Sequence, residues 1–277
     1  MNEQNLEYLK KSLDYLGFGT KLNEVMESAI RKEIPKFSLG ISKRFSRPEL
    51  SDGSGVAADH VHYQLNFNRA KENDTYFLND YTVTMMKYGE QARRQHTFDL
   101  ERDHRMTGQQ AYKLLSGNAL LKEISQKSNN GEAASQKVKV WFKLDQEIQD
   151  AYGNHPLRRF YPEYNFNLAQ TLDQYPFKNL SAREKNMAVK KLELGNMPLL
   201  TMKVDERIVP VFVVANPQMK ALEIYSEKMV PIRENEIFPD RSARREEKTF
   251  SGEPPLEQSS DAWRQDKERD TGGEISR

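Results

Sequence analysis

Cysteine is absent from this chain. That excludes disulfides, thiol nucleophiles and thiolate metal sites, and it fits a reducing, cytoplasmic setting. An excess of one charge is missing too. Lys and Arg number 42 against 41 Asp and Glu, so no overall field steers the chain toward nucleic acid or an anionic membrane. Long hydrophobic runs are also lacking. The longest, residues 208–215, is strand-length and broken by Pro210, far short of the roughly 20 apolar residues that cross a bilayer. The polar start Met1-Asn2-Glu3-Gln4-Asn5 has neither the basic start nor the apolar core of a secretory leader. The expectation is a soluble cytoplasmic protein with no membrane partner.

What is present reads as α+β. The 277 residues, 37% hydrophobic and 30% charged, suit two or three modest cores under a charged surface. Leu6, Leu9, Leu13 and Leu16 recur at helical spacing until Gly17 and Gly19 stop them. A second helix is expected after Thr20 as N-cap, with Leu22, Val25, Met26, Ala29 and Ile30 as its stripe. The period then drops to two. Phe37, Leu39 and Ile41 alternate with small residues, and Val61, Tyr63, Leu65 and Phe67 with polar ones. A polar, Gly-rich and mobile loop is expected at 46–58, with further strands at 75–86 and 96–102. A helix follows Thr107 and ends at Gly117-Asn118; strands at 119–124 and 137–144 flank a soft loop. A later helix ends at Gly195-Asn196 before strands at 197–204, 207–215 and 220–225.

These elements repeat. Tyr-x-x-x-(Met/Leu) occurs at Tyr81–Met85, Tyr164–Leu168 and Tyr225–Met229, and the segments from Glu33, Asn118 and Asn196 align upstream of it. The pattern predicts three serial units, each a helix followed by an antiparallel meander, over 1–105, 106–178 and 179–238. A charged tail, 239–277, has too few apolar residues to offset the entropy of ordering and is expected to be disordered. Sheets this small need a helix on one face. Their other faces and edges are expected to be free for extended peptides. Equivalent placement predicts that each tyrosine packs its ring against the helix with its hydroxyl near the surface.

Asn5-Leu6-Glu7-Tyr8-Leu9-Lys10, Leu16-Gly17-Phe18-Gly19 and Ala111-Tyr112-Lys113-Leu114-Leu115-Ser116-Gly117 resemble a group of hypothetical proteins carried on bacterial conjugative transposons. So do Tyr175-Pro176-Phe177-Lys178-Asn179-Leu180 and Ala215-Asn216-Pro217-Gln218. That family is a domain of unknown function, so the resemblance implies a mobile-element setting and supplies no reaction, cofactor or site residue.

Candidate chemistry is thin. His60 and His62 share a strand face and could approach a metal with His96, His104 or Asp59, but the alternation with Val61 and Tyr63 puts both in water. Asp99, Glu101, Asp103, Asp145 and Glu147 sit among Lys, Arg and Gln at strand ends, without the desolvated cleft that acid–base catalysis needs. Ser116-Gly117-Asn118 lacks the flanks of a nucleophile elbow, and Gly17-Phe18-Gly19 reads as a helix–helix turn. No catalytic residue, metal ligand or cofactor is assigned. Basic residues form a further group: Lys43, Arg44 and Arg47, then Arg93-Arg94 and Arg158-Arg159. Converging on one face beside Tyr88, Phe160 or Tyr161, they would bind single-stranded nucleic acid. In the tail, Trp263 behind Ser259-Ser260-Asp261 is a candidate partner anchor. The leading expectation is a non-enzymatic binding or accessory protein acting on a protein partner. A nucleic-acid-binding accessory factor is the alternative.

Overall fold

The computed structural model describes residues 2–51, 56–100, 104–126, 136–205 and 207–238. The tail at 239–277 with Trp263, the centre of the 46–58 loop and the soft loop at 127–135 lie outside the described residues. Residues 1–237 make one compact unit. Its fold is α+β, with three antiparallel sheets in series. Helices α1 (Glu3–Tyr15) and α2 (Asn23–Arg31) precede the first sheet. That sheet runs in order through β1 (Lys36–Ser46), β2 (Ala58–Arg69), β3 (Tyr76–Met86) and β4 (Arg93–Asp99). Helix α3 (Gly108–Leu115) leads into β5 (Leu120–Gln126), β6 (Gln136–Leu144) and β7 (Leu157–Phe160). Helices α4 (Leu168–Asp173) and α5 (Ala182–Glu193) precede β8 (Leu199–Val204), β9 (Arg207–Asn216) and β10 (Ala221–Ser226). A helix and a three-strand meander thus occur three times, and β4 is an addition to the first.

The recurrence extends to the helix ends. Each of α2, α3 and α5 closes with the same pair of backbone bonds: Ile34 to Ala29 and Glu33 to Ile30, Asn118 to Lys113 and Gly117 to Leu114, Asn196 to Lys191 and Gly195 to Leu192. These are Schellman caps, with Glu33, Gly117 and Gly195 at φ 54°, 99° and 70°. The two Gly-Asn pairs that mark helix ends in the sequence are equivalent residues of this cap. At the other end α3 and α5 carry capping boxes, Thr107 with Gln110 and Ser181 with Glu184. Thr20 is not the cap of α2. Its carbonyl accepts from Asn23 in a leading turn, and Leu22 takes the cap position.

Several boundaries move. β4 starts at Arg93 rather than His96, because its polar residues face solvent and pair along β3, Met86 opposite Arg93 and Thr84 opposite Gln95. Arg158 and Arg159 also lie within a strand, β7. The three tyrosines are not equivalent. Tyr81 and Tyr225 sit on third strands, whereas Tyr164 lies beyond β7 in a 3-10 turn, Pro162–Tyr164. Tyr81 is fully buried and donates its hydroxyl to the Met106 carbonyl at 2.6 Å, so its hydroxyl is internal. Tyr164 is exposed and bonds the Gln218 carbonyl.

The first two sheets share one core. Leu6, Leu9 and Leu13 of α1 and Met26 of α2 meet Tyr63, Leu65, Tyr81 and Val83 on the inner face, continuous with Leu114, Val140 and Phe142. Each such buried side chain contributes about 1.5–3 kcal/mol. Helix α3 is pinned by tyrosine hydroxyls: Tyr63 donates to the Gly108 carbonyl at 2.8 Å, and Tyr112 reaches Asp59 at 2.8 Å.

The edges are not all open. Pro176 and Lys178 bond β8 through Lys203 and Thr201, and Ile232 and Val230 bond β10 through Ile224 and Ser226. The Asn154 side chain accepts from the Thr97 backbone on β4 at 2.8 Å. The third sheet therefore offers neither edge to a partner. An open edge is a template for unwanted pairing, and covering it removes that hazard.

Candidate functional site

Helix α1 buries its leucine stripe and leaves Tyr8 and Tyr15 on another face, one turn either side of Lys11 and Ser12. This face meets the beginning of β3, where the register slips between Asn66 and Phe67. The extra residue bends the strand, and among the described residues the pairing with β4 goes beyond Asp80 only through Leu100 N–H to the Asn79 carbonyl at 2.7 Å. Phe77 is left half exposed. The result is a groove of about 510 Å³ with Leu9, Leu16 and Leu100 as its floor and Tyr8, Tyr15 and Phe77 on its walls. Lys11 and Arg105 are the only charged residues among its described lining. The Arg105 guanidinium, 3.5 Å from the Tyr8 hydroxyl, lowers that phenol's pKa. Asn5 fixes the relation of helix to strand, its carboxamide bracketing the Tyr76 backbone at 2.8 and 3.0 Å.

A second concavity, about 460 Å³, opens where the three units meet. Four cations, Arg47, Lys87, Arg94 and Lys143, and four carboxylates, Glu90, Asp145, Glu147 and Glu223, line it. One ion pair, and the hydrogen bonds of Arg94, cross the seams between units. Lys143 of β6 bonds Glu223 of β10 at 2.7 Å, and Asn216 and Tyr225 complete the carboxylate. Arg94 of β4 reaches Gln146 at 2.8 Å and the Leu115 carbonyl, with Glu90 at 2.9 Å. Burial lowers the pKa of Lys87, which pairs with Glu90 at 3.2 Å. The chemistry of this cleft is that of a clasp between units.

The seven basic residues do not share a face. Arg47 and Arg94 both reach the junction cleft. Arg47 is buried against Asp59 at 3.0 Å and against Glu49. Burial opposes its charge, but the two carboxylates outweigh burial and raise its pKa. Arg44 and Arg93 stand exposed at the two edges of one row, Arg44–His60–Met86–Arg93, across the open face of the first sheet. Lys43 points to the other face, donates to the Gly17 carbonyl and lies over the Phe18 ring at 5.8 Å. Arg158 pairs with Asp145 at 3.0 Å. Arg159 contacts His104 at 3.0 Å and lies over Phe142.

His60 and His62 are exposed, whereas His96, His104 and Asp59 are buried. Among the described residues no group of three His, Asp or Glu could hold a metal ion. Asp145 is engaged by Arg158, and Glu101 and Asp103 lie outside the described residues. No described helix is long and apolar enough to cross a membrane. Sequence periodicity did not single out the groove, although Tyr8 and Tyr15, seven residues apart and off the leucine stripe, were a readable signal of an exposed aromatic face. Compared with family models, curated proteins and solved structures, the chain matches none.

Proposed function

We propose that this chain is a non-enzymatic accessory protein that works by docking a protein partner, in the conjugative-element setting its sequence resemblance implies. The α1–β3 groove carries the reading. Three exposed aromatic rings over a leucine floor form the aromatic, water-excluding centre typical of protein interfaces. Lys11 and Arg105 at its rim favour a partner segment with apolar anchors and carboxylates beside them. All four cations lining the junction cleft are paired with carboxylates within the protein, which accords with a structural role there. A photo-crosslinking residue in place of Phe77 tests the proposal. One discrete protein adduct in cells, lost on adding Tyr15→Ser and Lys11→Glu, supports it; adducts unaffected by those changes, or none, overturn it. The dispersal of the seven basic side chains weighs against the nucleic-acid reading. Single-stranded DNA binding that weakens steeply with salt would restore that reading.

A further inference from the structure

Strand β1 is an eleven-residue edge strand, longer than the edge strands β4, β5, β7, β8 and β10. One side pairs continuously with β2 from Lys36 opposite Asn68 to Ser46 opposite Ala58. Among the described residues no backbone hydrogen bond reaches its other side, in contrast to β4, β8 and β10, whose outer edges are met by neighbouring segments.

The side chains carry the same signature of an incomplete sheet. Phe37, Ile41 and Phe45 are only part-buried, whereas the residues opposite them on β2, Phe67, Tyr63 and Asp59, are fully buried. One more strand would supply the missing flank. On the opposite face Lys36 and Arg44 are exposed, and Lys36–Ser46 contains three cations and no carboxylate. We infer that the outer edge of β1 is a docking site for an extended segment of a partner protein, added as a strand, with apolar residues facing Phe37, Ile41 and Phe45 and carboxylates on the Lys36–Arg44 face. Backbone pairing supplies the affinity of such a complex and the alternate side chains its selectivity.

A second copy of this chain is a poor occupant. Antiparallel self-pairing about Ile41 would match Phe37 with Phe45, but it would bring four cations, Lys36 and Arg44 of each copy, onto one face with no carboxylate from either strand. Lys on an edge strand is a recognised guard against that association. The site is distinct from the α1–β3 groove, so either can fail without the other.

The probe is a synthetic peptide of alternating Glu and Val, as long as β1. Controls are the same peptide N-methylated at alternate residues, and one with Lys for Glu. Hydrogen exchange on the full chain reads the site. The expected result is slowed exchange of outward-pointing β1 amides with the Glu peptide alone, with affinity reduced about tenfold by Lys36→Glu with Arg44→Glu. Both residues are exposed, so the variant's fold is checked independently by its unchanged exchange elsewhere. Absence of β1 protection at millimolar peptide overturns the inference. Equal binding by the N-methylated peptide also overturns it, as does protection that rises with protein concentration alone alongside dimer formation.

Discussion

The Asn118 carboxamide of the second unit donates to the Gly195 carbonyl of the third at 2.9 Å. Both residues belong to equivalent helix caps, and Lys113 adds a bond to the neighbouring Leu194 carbonyl at 2.7 Å. Two copies of one turn are thus joined face to face. A Cβ on Gly195 would meet the Ala119 carbonyl oxygen at 3.2 Å, and the residue is at φ +70°. Gly195→Ala is therefore expected to destabilise by about 2 kcal/mol, from left-handed strain plus the close contact. Asn118→Ala should cost about 1 kcal/mol. The pair should combine to less than their sum, because both act on one seam. Denaturant titration of the two variants and the double variant measures this; simple additivity would place the strain elsewhere.

Asp59 is a carboxylate with no solvent exposure. It accepts from Arg47 at 3.0 Å, from the Tyr112 hydroxyl at 2.8 Å and from the Tyr88 backbone at 2.9 Å. Tyr112 is fixed in turn by stacking on Phe45, ring centroids 3.8 Å apart. Removing one partner from a buried ion pair strands the other charge. Asp59→Ala is expected to destabilise by about 3–5 kcal/mol, and Tyr112→Phe by about 1–2 kcal/mol. Thermal unfolding of both variants separates the two effects, and equal losses would contradict the assignment.

Tyr15 and Phe77 should differ from Asp59 and Tyr112 in the same way. Both are at least half exposed, so Tyr15→Ser and Phe77→Ser should change stability by less than about 0.5 kcal/mol. An interface role predicts loss of partner binding at unchanged stability. A large fall in the unfolding midpoint would instead make these rings part of the core.

What was legible in the sequence followed the reach of each signal. The alternation of Val61, Tyr63, Leu65 and Phe67 is local, and all four are buried on one face of β2. Helix ends were readable at Gly117 and Gly195 because a left-handed cap selects glycine; the equivalent Glu33 gave no such sign. β4 began earlier than its apolar pattern, since Arg93 and Gln95 face water and are held by β3. Tyr164 was misplaced because the true third strand, Leu157-Arg158-Arg159-Phe160, is too short and too basic to announce itself. The groove depends on a bulge beside a helix over sixty residues away in sequence, which no local period encodes.

His96 gives the fold a pH dependence with a defined sign. Its ring is 8% exposed, and its Nδ1 accepts the His155 backbone N–H at 3.2 Å. That bond fixes Nδ1 as an acceptor, so protonation there would set two donors against each other. Burial and the neighbouring His155 lower its pKa from 6.5 to about 4, against a small opposing pull from Asp150. An unfolded chain takes up the proton as pH falls through 6.5, whereas the folded chain does so only near 4. The stability present above pH 6.5 is therefore lost across that interval, by about 2 kcal/mol at pH 5. His96→Asn cannot titrate, so its unfolding free energy should fall by about 2 kcal/mol less than that of wild type between pH 7 and pH 5. If the two proteins fall in parallel over that range, His96 is not the group responsible.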